Sequence, residues 1–360
     1  MKIKDIGTVV TGKTPATSHA EFYGGDYMFV TPSELHGGYK VSASEKTITD
    51  AGIKSIKSNI IDGISVLVGC IGWDMGNVAM CFEKCATNQQ INSVTRIKDS
   101  FNPYFLYYWL STQKDYLFSI ASVTRTPILS KGVFEEIELP NIDRLKQDKI
   151  SKMLLVLDRK IEYNATVNDN LQQMAHMTFM HCFWGKPTNG TIGDILIEHE
   201  KSPIQVGQAK NTIGNYPFFT SGDAILRWAS PLIDGRNIFM NTGGNAGVKF
   251  YVGEAAYSTD TWCVSARDGL TDYLYLFLDS IKPELSQKFF QGTGLKHLQK
   301  PALKNHPMYI PSKDELEVFN RSVIPWLTLV SDNIRESERL TALRDWLLPM
   351  LMNGQATIRD

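Results

Sequence analysis

The feature of this sequence that most limits its fold is an internal repeat, because two copies of one scaffold must fold alike. Three segments of the first half recur in the second half at one constant separation: residues 72–78 with 243–248, 102–110 with 273–281, and 137–140 with 308–311. Two earlier segments recur at a longer separation: residues 6–7 with 192–193, and 29–34 with 219–223. The framework segments repeat while the stretches between them differ, which is typical of one scaffold that carries different binding loops.

Each copy is followed by a long segment whose seam residues alternate at steps of four and three, the heptad spacing of a helix that packs on another helix. The first seam consists of Ile150, Leu154, Leu157, Ile161, Asn164, Asn168, Leu171 and Ala175. The second consists of Leu316, Phe319, Val323, Trp326, Val330, Asn333, Ser337 and Leu340. A seam of roughly 36 residues predicts a helix about 54 Å long.

Two such helices in one chain can bury their seams against each other. If they pack antiparallel, the two globular copies lie at opposite ends and a pseudo-twofold axis relates them. Asn164 and Asn168 would then cost stability but restrict register and orientation. The alternative is that both face solvent on an amphipathic surface helix. Pro325 lies inside the second segment and predicts either a kink or a later helix start.

The globular copies are rich in Gly, Thr, aromatic and β-branched residues, with short apolar runs such as residues 64–68 and 237–240. These runs predict strands separated by glycine-rich turns, and residues 104–117 and 273–289 predict helices with one apolar face. The predicted fold class is α+β: two similar mainly-β domains separated by two long helices packed as an antiparallel coiled coil. The predicted division is a first domain at 1–141, a first helix at 142–185, a second domain at 186–311, a second helix at 312–353 and a tail at 354–360.

Composition places the chain among ordinary globular proteins. Of its 360 residues, 43% are hydrophobic and 21% are charged, which excludes a disordered or fibrous chain. The sequence starts without a long apolar stretch, and no run reaches the roughly 18 apolar residues of a membrane span, so we expect a cytoplasmic protein. The five cysteines are scattered, which favours free thiols. Cys81 and Cys85 have the spacing of half a zinc site, but without a second half burial is favoured, and no metal is predicted.

Loops of both copies carry the side-chain types that read DNA bases. The clusters at residues 11–17, 87–90 and 122–125 lie in the first copy, and matching clusters lie at 258–261 and 292–297 in the second. Gln and Asn can bond an adenine edge, Arg and Lys a guanine, and Asp and Glu a cytosine amino group. The same residue types also cap helices and stabilise turns, so the matching between copies is the argument for a shared role.

Repeat, helices and loops together resemble the specificity subunits of type I restriction–modification systems. The motifs that carry the resemblance are residues 11–15, 23–33, 86–90, 102–108 and 137–140 in the first copy, 158–164 in the first helix and 343–351 in the second. The resemblance covers nearly the whole chain. The second copy departs from it where Thr220-Ser-Gly-Asp223 replaces Thr-Pro-Ser-Glu.

The resemblance implies that each globular copy reads one half of a bipartite, asymmetric target on double-stranded DNA, with the paired helices fixing the unread spacer. It also implies two methyltransferase subunits that methylate adenine, restriction subunits that join them for ATP-dependent cleavage, and no catalytic site or cofactor in this chain. The formal net charge of −1 is low for a protein that binds DNA through phosphates. We therefore expect local basic patches, with the methyltransferases supplying much of the phosphate contact.

An enzyme is the main alternative. Residues 102–105 are similar to the motif that holds the target amino group in adenine methyltransferases, but the second proline and a glycine-rich methyl-donor motif are missing, which favours a helix N-terminus. The sequence also shows no phosphate-binding loop and no nucleophile elbow.

Another alternative is a two-module scaffold that binds peptide or carbohydrate. Trp73, Trp228 and Trp262 would contribute to its site, although burial is commoner for Trp. The last alternative is a decayed or regulatory relative of the specificity subunits.

The candidate DNA-reading residues are taken from the polar clusters and the segments beside them. In the first copy they are Lys13, Thr14, Thr17, Ser33, Glu34, Gln89, Gln90, Thr124 and Arg125. In the second copy they are Asp223, Arg227, Lys249, Asp260, Thr261, Thr293, Lys296 and His297.

Overall fold

Contacts divide the chain into two units, each with its own sheets and core. A computed structural model describes residues 1–123, 125–210, 212–292, 294, 296–356 and 358, with the backbone alone at Val123. Unit 1 comprises Met1–Lys160 and Arg339–Asp360, and unit 2 comprises Ile161–Glu338.

Unit 1 is built mainly from short strands. They are β1 Thr8–Thr11, β2 Tyr23–Val30, β3 Lys46–Ile48, β4 Ile60–Ile61, β5 Ser65–Gly69, β6 Val78–Cys81, β7 Cys85–Thr87, β8 Ile91–Thr95, β9 Ser122–Val123 and β10 Pro127–Ile128. The short helices are α1 Ile3–Ile6, α2 Asp50–Ser55, α3 Pro103–Ser111, α4 Lys114–Ser119 and α5 Lys131–Glu135. One sheet is antiparallel in the order β1-β8-β5-β6. A second has the order β3-β2-β7-β4 and is parallel between β2 and β7.

The core of unit 1 forms where α3 packs on β5 and β6. Every residue of β5 is buried, as expected of a central strand that is covered on both faces. The side-chain oxygen of Asn102 accepts hydrogen bonds from the amides of Tyr104 and Phe105 at 2.8 and 3.0 Å, and Pro103 occupies the first turn. This cap fixes where α3 begins.

Unit 2 has the same kind of construction. Its strands are β11 Gly190–Thr191, β12 Leu196–Glu198, β13 Tyr216–Phe219, β14 Ile225–Trp228, β15 Arg236–Asn241, β16 Val248–Val252, β17 Ala256–Tyr257, β18 Thr261–Ala266, β19 Phe290–Gln291, β20 His297–Leu298 and β21 Pro307–Met308. Its short helices are α7 Ile192–Ile195, α8 Val206–Ala209, α9 Thr271–Ser280, α10 Lys282–Glu284 and α11 Lys300–Lys304. The longest helices of the chain are α6 Arg144–Phe183 and α12 Lys313–Met352, and each contributes a part to both units.

Strand order confirms the internal repeat. The main sheet of unit 2 is antiparallel in the order β12-β18-β15-β16, which corresponds strand for strand to β1-β8-β5-β6 of unit 1. The second sheet of unit 2 has the order β14-β13-β17, and its β13–β17 pair is parallel like β2–β7. The α+β class predicted from the sequence is therefore confirmed.

The seam asparagines face the other long helix. In unit 2, Asn164 is 1% exposed, and its amide donates to the hydroxyl of Ser337 at 3.2 Å. One turn along α6, the side chain of Asn168 accepts from the amide of Asn333 at 2.8 Å. In these contacts the residue number increases along α6 while it decreases along α12, so the helices run antiparallel in this unit. The alternative of solvent-facing asparagines is wrong.

Helix α12 runs through Pro325 from a start at Lys313, so the prediction of a later start is wrong. The physical reason is the cap in front of it. The side chain of Ser312 accepts from the Glu315 amide at 3.4 Å, and the Glu315 carboxylate accepts from the Ser312 amide at 2.8 Å. This reciprocal arrangement satisfies amides of the first turn, while the buried side chains of Val323 and Leu327 hold the helix on the core around the proline. Within the described part of the chain, none of the helices has the length and apolarity needed to span a bilayer.

Candidate nucleic-acid interface

Backbone hydrogen bonds bring four loops of unit 1 to one edge of its main sheet. The Gly12 amide donates to the Ile91 carbonyl at 3.0 Å, and the Cys70 amide donates to the Gln90 carbonyl at 2.7 Å. The Leu129 amide in turn donates to the Cys70 carbonyl at 2.8 Å. We call this surface loop edge 1; it comprises residues 12–17, 71–76, 88–90 and 125–128.

Six of the predicted DNA-reading residues lie on loop edge 1 with a polar group near solvent. Lys13, Gln89 and Arg125 are exposed, and the Thr14 hydroxyl donates to the Gln89 side chain at 2.8 Å. Gln90 is half-buried, and its side-chain oxygen accepts from the amide of the Asn88 side chain at 2.9 Å. The structure therefore places amide groups and two cations together, as base and phosphate contacts require. Thr17 is exposed in the same loop as Lys13.

Ser33 and Glu34 follow β2, next to loop edge 1, since the Asn88 amide donates to the Val30 carbonyl at 3.0 Å. Ser33 is exposed. The Glu34 carboxylate accepts from the Thr31 amide at 2.8 Å and from the Glu45 amide at 3.1 Å. Burial acts to raise the pKa of Glu34, but hydrogen bonds from the Thr31 hydroxyl and from these two amides outweigh it and lower the pKa below its ordinary value. Glu34 thus caps a turn of its own chain.

The matching loops of unit 2 meet in the same way. The Gly244 amide donates to the Lys296 carbonyl at 2.9 Å, and the Leu298 amide donates to the Thr242 carbonyl at 3.0 Å. The Thr242 hydroxyl donates to the Asp260 carbonyl at 2.7 Å. We call this surface loop edge 2; it comprises residues 220–223, 242–247, 258–261 and 296–298. The predicted residues exposed on it are Asp223, Asp260, Lys296 and His297.

Three predicted residues of unit 2 have partners within the protein. The Lys249 amine donates to the carbonyls of Thr220 and Gly222 at 2.8 and 2.5 Å, and burial lowers its pKa. Arg227 lies apart from loop edge 2, because its guanidinium pairs with Glu338 of α12 at 2.8 Å. Thr261 is buried at the start of β18, where its hydroxyl donates to the Phe219 carbonyl at 3.1 Å. The predicted residues Thr124 and Thr293 lie outside the described residues.

Trp73 is a residue of loop edge 1 that the sequence reasoning named only for a peptide- or carbohydrate-binding scaffold, and not as a DNA reader. It is 70% exposed, whereas Trp262 is buried and Trp228 is half-buried. The signal that could have found it is its place between Gly72 and Gly76, both with positive φ, because glycines that flank a tryptophan in this way put it at a turn. Trp73 lies in unit 1 and the other two tryptophans in unit 2.

Residues 102–105, which are similar to a methyltransferase motif, have a structural role. Asn102 is buried; besides capping α3, its side-chain amide donates to the Asp148 carboxylate at 2.5 Å. Its oxygen is used in capping α3 and its amide in holding α3 to α6. Within the described residues, no group of three His, Cys, Asp or Glu side chains is arranged to hold a metal ion. Cys81 and Cys85 are buried with their sulfurs 3.2 Å apart.

A family model described as "Type I restriction modification DNA specificity domain" matches residues 1–173 and 186–319, once over each half of the repeat. The chain belongs to this family. The MjaIX specificity subunit of Methanocaldococcus jannaschii is 24% identical over 407 aligned residues, which cover 100% of this chain and 93% of that relative. The HindI specificity subunit of Haemophilus influenzae is 32% identical over 140 residues, which cover 38% of this chain and 30% of that relative.

A solved structure of the S subunit of a type I system from M. genitalium has the same fold, with a TM-score of 0.63 and 16% identity over 98% of this chain and 95% of that one. As a type I specificity subunit, this protein takes part in DNA target recognition in a restriction–modification system and is non-catalytic. The resemblance stated from the sequence is confirmed. The individual base-reading residues remain predictions.

Proposed function

We propose that this type I specificity subunit reads a bipartite, asymmetric DNA target, one half with loop edge 1 and the other half with loop edge 2. The observation that carries the proposal is the repetition of one loop edge on two scaffolds with the same strand order but different side chains. Loop edge 1 carries Lys13, Gln89 and Arg125, while loop edge 2 carries Asp260 and Lys296. Because these groups match different base edges, the two halves of the target would differ in sequence.

The long helices would set the unread spacer between the half-sites. Each helix has 40 residues, which corresponds to about 60 Å at 1.5 Å per residue. Half-sites one turn of DNA apart are separated by about 34 Å, well within this length. The asparagines 164, 168 and 333 support a fixed register, because a slip of one turn would break the hydrogen bond between the side chains of Asn168 and Asn333.

The partners proposed are two adenine methyltransferase subunits, and restriction subunits that join them. Helix α6 offers a surface for such a partner beside the face that contacts α12. In unit 2, Met174 is 46% exposed, Met177 is 69% exposed and Trp184 is 50% exposed. Met174 and Met177 lie three residues apart and so share one side of α6, and Trp184 follows the last residue of the helix. Exposed apolar side chains of this kind are suited to contact another protein.

The test is single-molecule sequencing of adenine methylation in a methylation-free host that carries this chain and its neighbouring methyltransferase. We expect a bipartite motif that is absent from the same host without this chain. Absence of methylation from a host in which the subunits are produced and co-purify would contradict the proposal, and would favour a decayed relative or a scaffold for a non-DNA ligand.

Variants of each edge assign the half-sites. Gln89→Ala combined with Arg125→Ala should relax or abolish recognition of one half of the motif and leave the other half unchanged. Lys296→Ala combined with His297→Ala should do the opposite. Each lost bidentate contact should lower discrimination at its base pair by about 1–3 kcal/mol. A change of both halves by either pair would contradict the assignment of one half-site to each edge.

Salt dependence measures how many phosphates the chain itself contacts. With a formal net charge of −1, we expect the logarithm of the association constant of the isolated chain to fall with the logarithm of salt concentration at a slope shallower than about −3, which corresponds to roughly three phosphate contacts. The slope should steepen when the methyltransferase is added. Titration of a labelled target duplex at several salt concentrations measures both slopes, and a steep slope for the isolated chain would show that it provides the phosphate contacts alone.

A further inference from the structure

The loop between β5 and β6 places an indole where a base-reading surface needs polar groups. Trp73 is 70% exposed, although tryptophan is usually buried to a large degree. The loop is part of loop edge 1, because the Gly72 amide donates to the Pro127 carbonyl at 3.0 Å, two residues from the exposed Arg125. The turn that carries the indole is therefore bonded to the segment that carries Arg125, a candidate for DNA contact.

The backbone under Trp73 is held in a fixed turn. Gly72 and Gly76 have φ values of 109° and 92°, which glycine adopts at low cost. The Gly76 amide donates to the Gly69 carbonyl at 2.8 Å, and Met75 is 1% exposed in the core. The turn is thus anchored on both sides of the tryptophan.

Charged neighbours hold the same turn. The Asp74 carboxylate accepts from the Lys114 amine at 2.7 Å and lies 3.2 Å from the His36 ring. The centroid of the Trp73 ring lies 6.1 Å from that of Phe118, at an angle of 40°, so the indole rests against one side chain and exposes most of its surface. A rigid, amphipathic ring of this kind can bind a flat partner with little loss of conformational entropy.

The second copy has no ring at the corresponding position. The residue that corresponds to Trp73 is Gly244, with a φ of 77° and no atom within 4 Å of the position of a Cβ. The indole is therefore not needed for the two strands to pair, since β15 and β16 of unit 2 pair with a glycine at this position. Its role belongs to loop edge 1 alone.

We propose that Trp73 inserts as a wedge at one base step in the half-site that loop edge 1 reads, unstacking that step; this rests on the proposed function. Apolar side chains that enter between base pairs unstack and kink the duplex, and pyrimidine–purine steps deform most easily. The half-site of unit 1 should therefore include a preferred flexible step, selected by its deformability. The half-site of unit 2 should have no such preference.

The experiment uses the complex of the full chain with its methyltransferase and duplexes that carry the target found by methylation sequencing, with 2-aminopurine placed at successive positions. We expect a rise in 2-aminopurine fluorescence at one step of the unit 1 half-site with the wild-type chain, and no rise with Trp73→Ala. The same variant should weaken binding by roughly 5- to 150-fold, the range for the loss of aromatic stacking on a base. Trp73→Phe should recover part of both signals.

Three outcomes distinguish a failure of the role proposed for Trp73 from a failure of the proposed function. Unchanged fluorescence and affinity in Trp73→Ala, with normal methylation of the bipartite target, would overturn the role of Trp73 and leave the proposed function intact. Loss of methyltransferase from the Trp73→Ala complex in the absence of DNA would overturn it in favour of a protein contact. No bipartite methylation by the wild-type complex would overturn both proposals. A thermal unfolding curve equal to that of the wild type shows that the exposed side chain is not needed for folding.

Discussion

Replacing Asp158 with Ala should lower the free energy of unfolding by about 3–5 kcal/mol, because it removes the buried partner of the Arg344 guanidinium and leaves only the exposed Asp345 carboxylate beside it. Asp158 is 3% exposed in unit 1, and its carboxylate accepts from the Arg344 guanidinium at 2.6 Å and from the Tyr108 hydroxyl at 2.5 Å. Burial, followed by the charge of Asp158, raises the pKa of Tyr108, so its hydroxyl keeps the proton that it donates. One carboxylate thus joins α3, α6 and α12 in this unit.

Urea denaturation of the full chain measures this effect. Glu135→Ala is the matched control, because its partner Lys131 is half exposed one turn away on α5, and such surface pairs contribute about 0.3–0.5 kcal/mol. The double variant Asp158→Ala with Arg344→Ala should lose less than the sum of the two single variants, since neither charge is then left alone. A loss for Asp158→Ala no larger than that of Glu135→Ala would contradict the role assigned to this carboxylate.

Introducing Met174→Glu together with Met177→Glu should abolish co-purification of the methyltransferase and, with it, methylation of the target. Two charges would be desolvated in the contact on α6, and an unpaired buried charge costs several kcal/mol. At micromolar concentrations a loss of that size changes a stable complex into a dissociated one. Glutamate forms helix about as well as methionine, so α6 itself should remain intact.

Ile213→Glu is the matched control for this double variant. Ile213 is 98% exposed in a loop of unit 2, so the same kind of apolar-to-acidic change is made away from the helix. Pull-down of the methyltransferase and adenine methylation should be normal in this control. Retention of the methyltransferase by the Met174 and Met177 variant would show that the subunits meet elsewhere.

The scaffold could be predicted from the sequence because it depends on patterns that recur. The constant separation of the two copies predicted two domains of one topology, and the strand orders agree. The heptad spacing placed Asn164 and Asn168 on the seam, where both contact α12. The long helix α12 was less well predicted around Pro325, because the cap at Ser312 and the packing of the helix outweigh a local preference.

The reading residues could be predicted only by type, because the sequence does not give the direction of a side chain. Lys249 and Arg227 were selected for their charge, yet the amine of one binds carbonyls of its own unit and the guanidinium of the other pairs with Glu338. Side chains on a strand alternate between its two faces, and only the folded neighbours decide which groups a long side chain on one face can reach. Trp73 was not selected as a DNA reader, because a tryptophan is expected to be buried in the core.

The division of the chain into units has a consequence for the order of folding during translation. Unit 2 is one continuous stretch, Ile161–Glu338, whereas unit 1 needs a segment from Arg339 onward that is synthesised after all of unit 2. Leu351 and Met352 in that segment are 3% and 7% exposed in the core of unit 1. The first domain to leave the ribosome is therefore the last to close its core, and until then it offers apolar surface to chaperones.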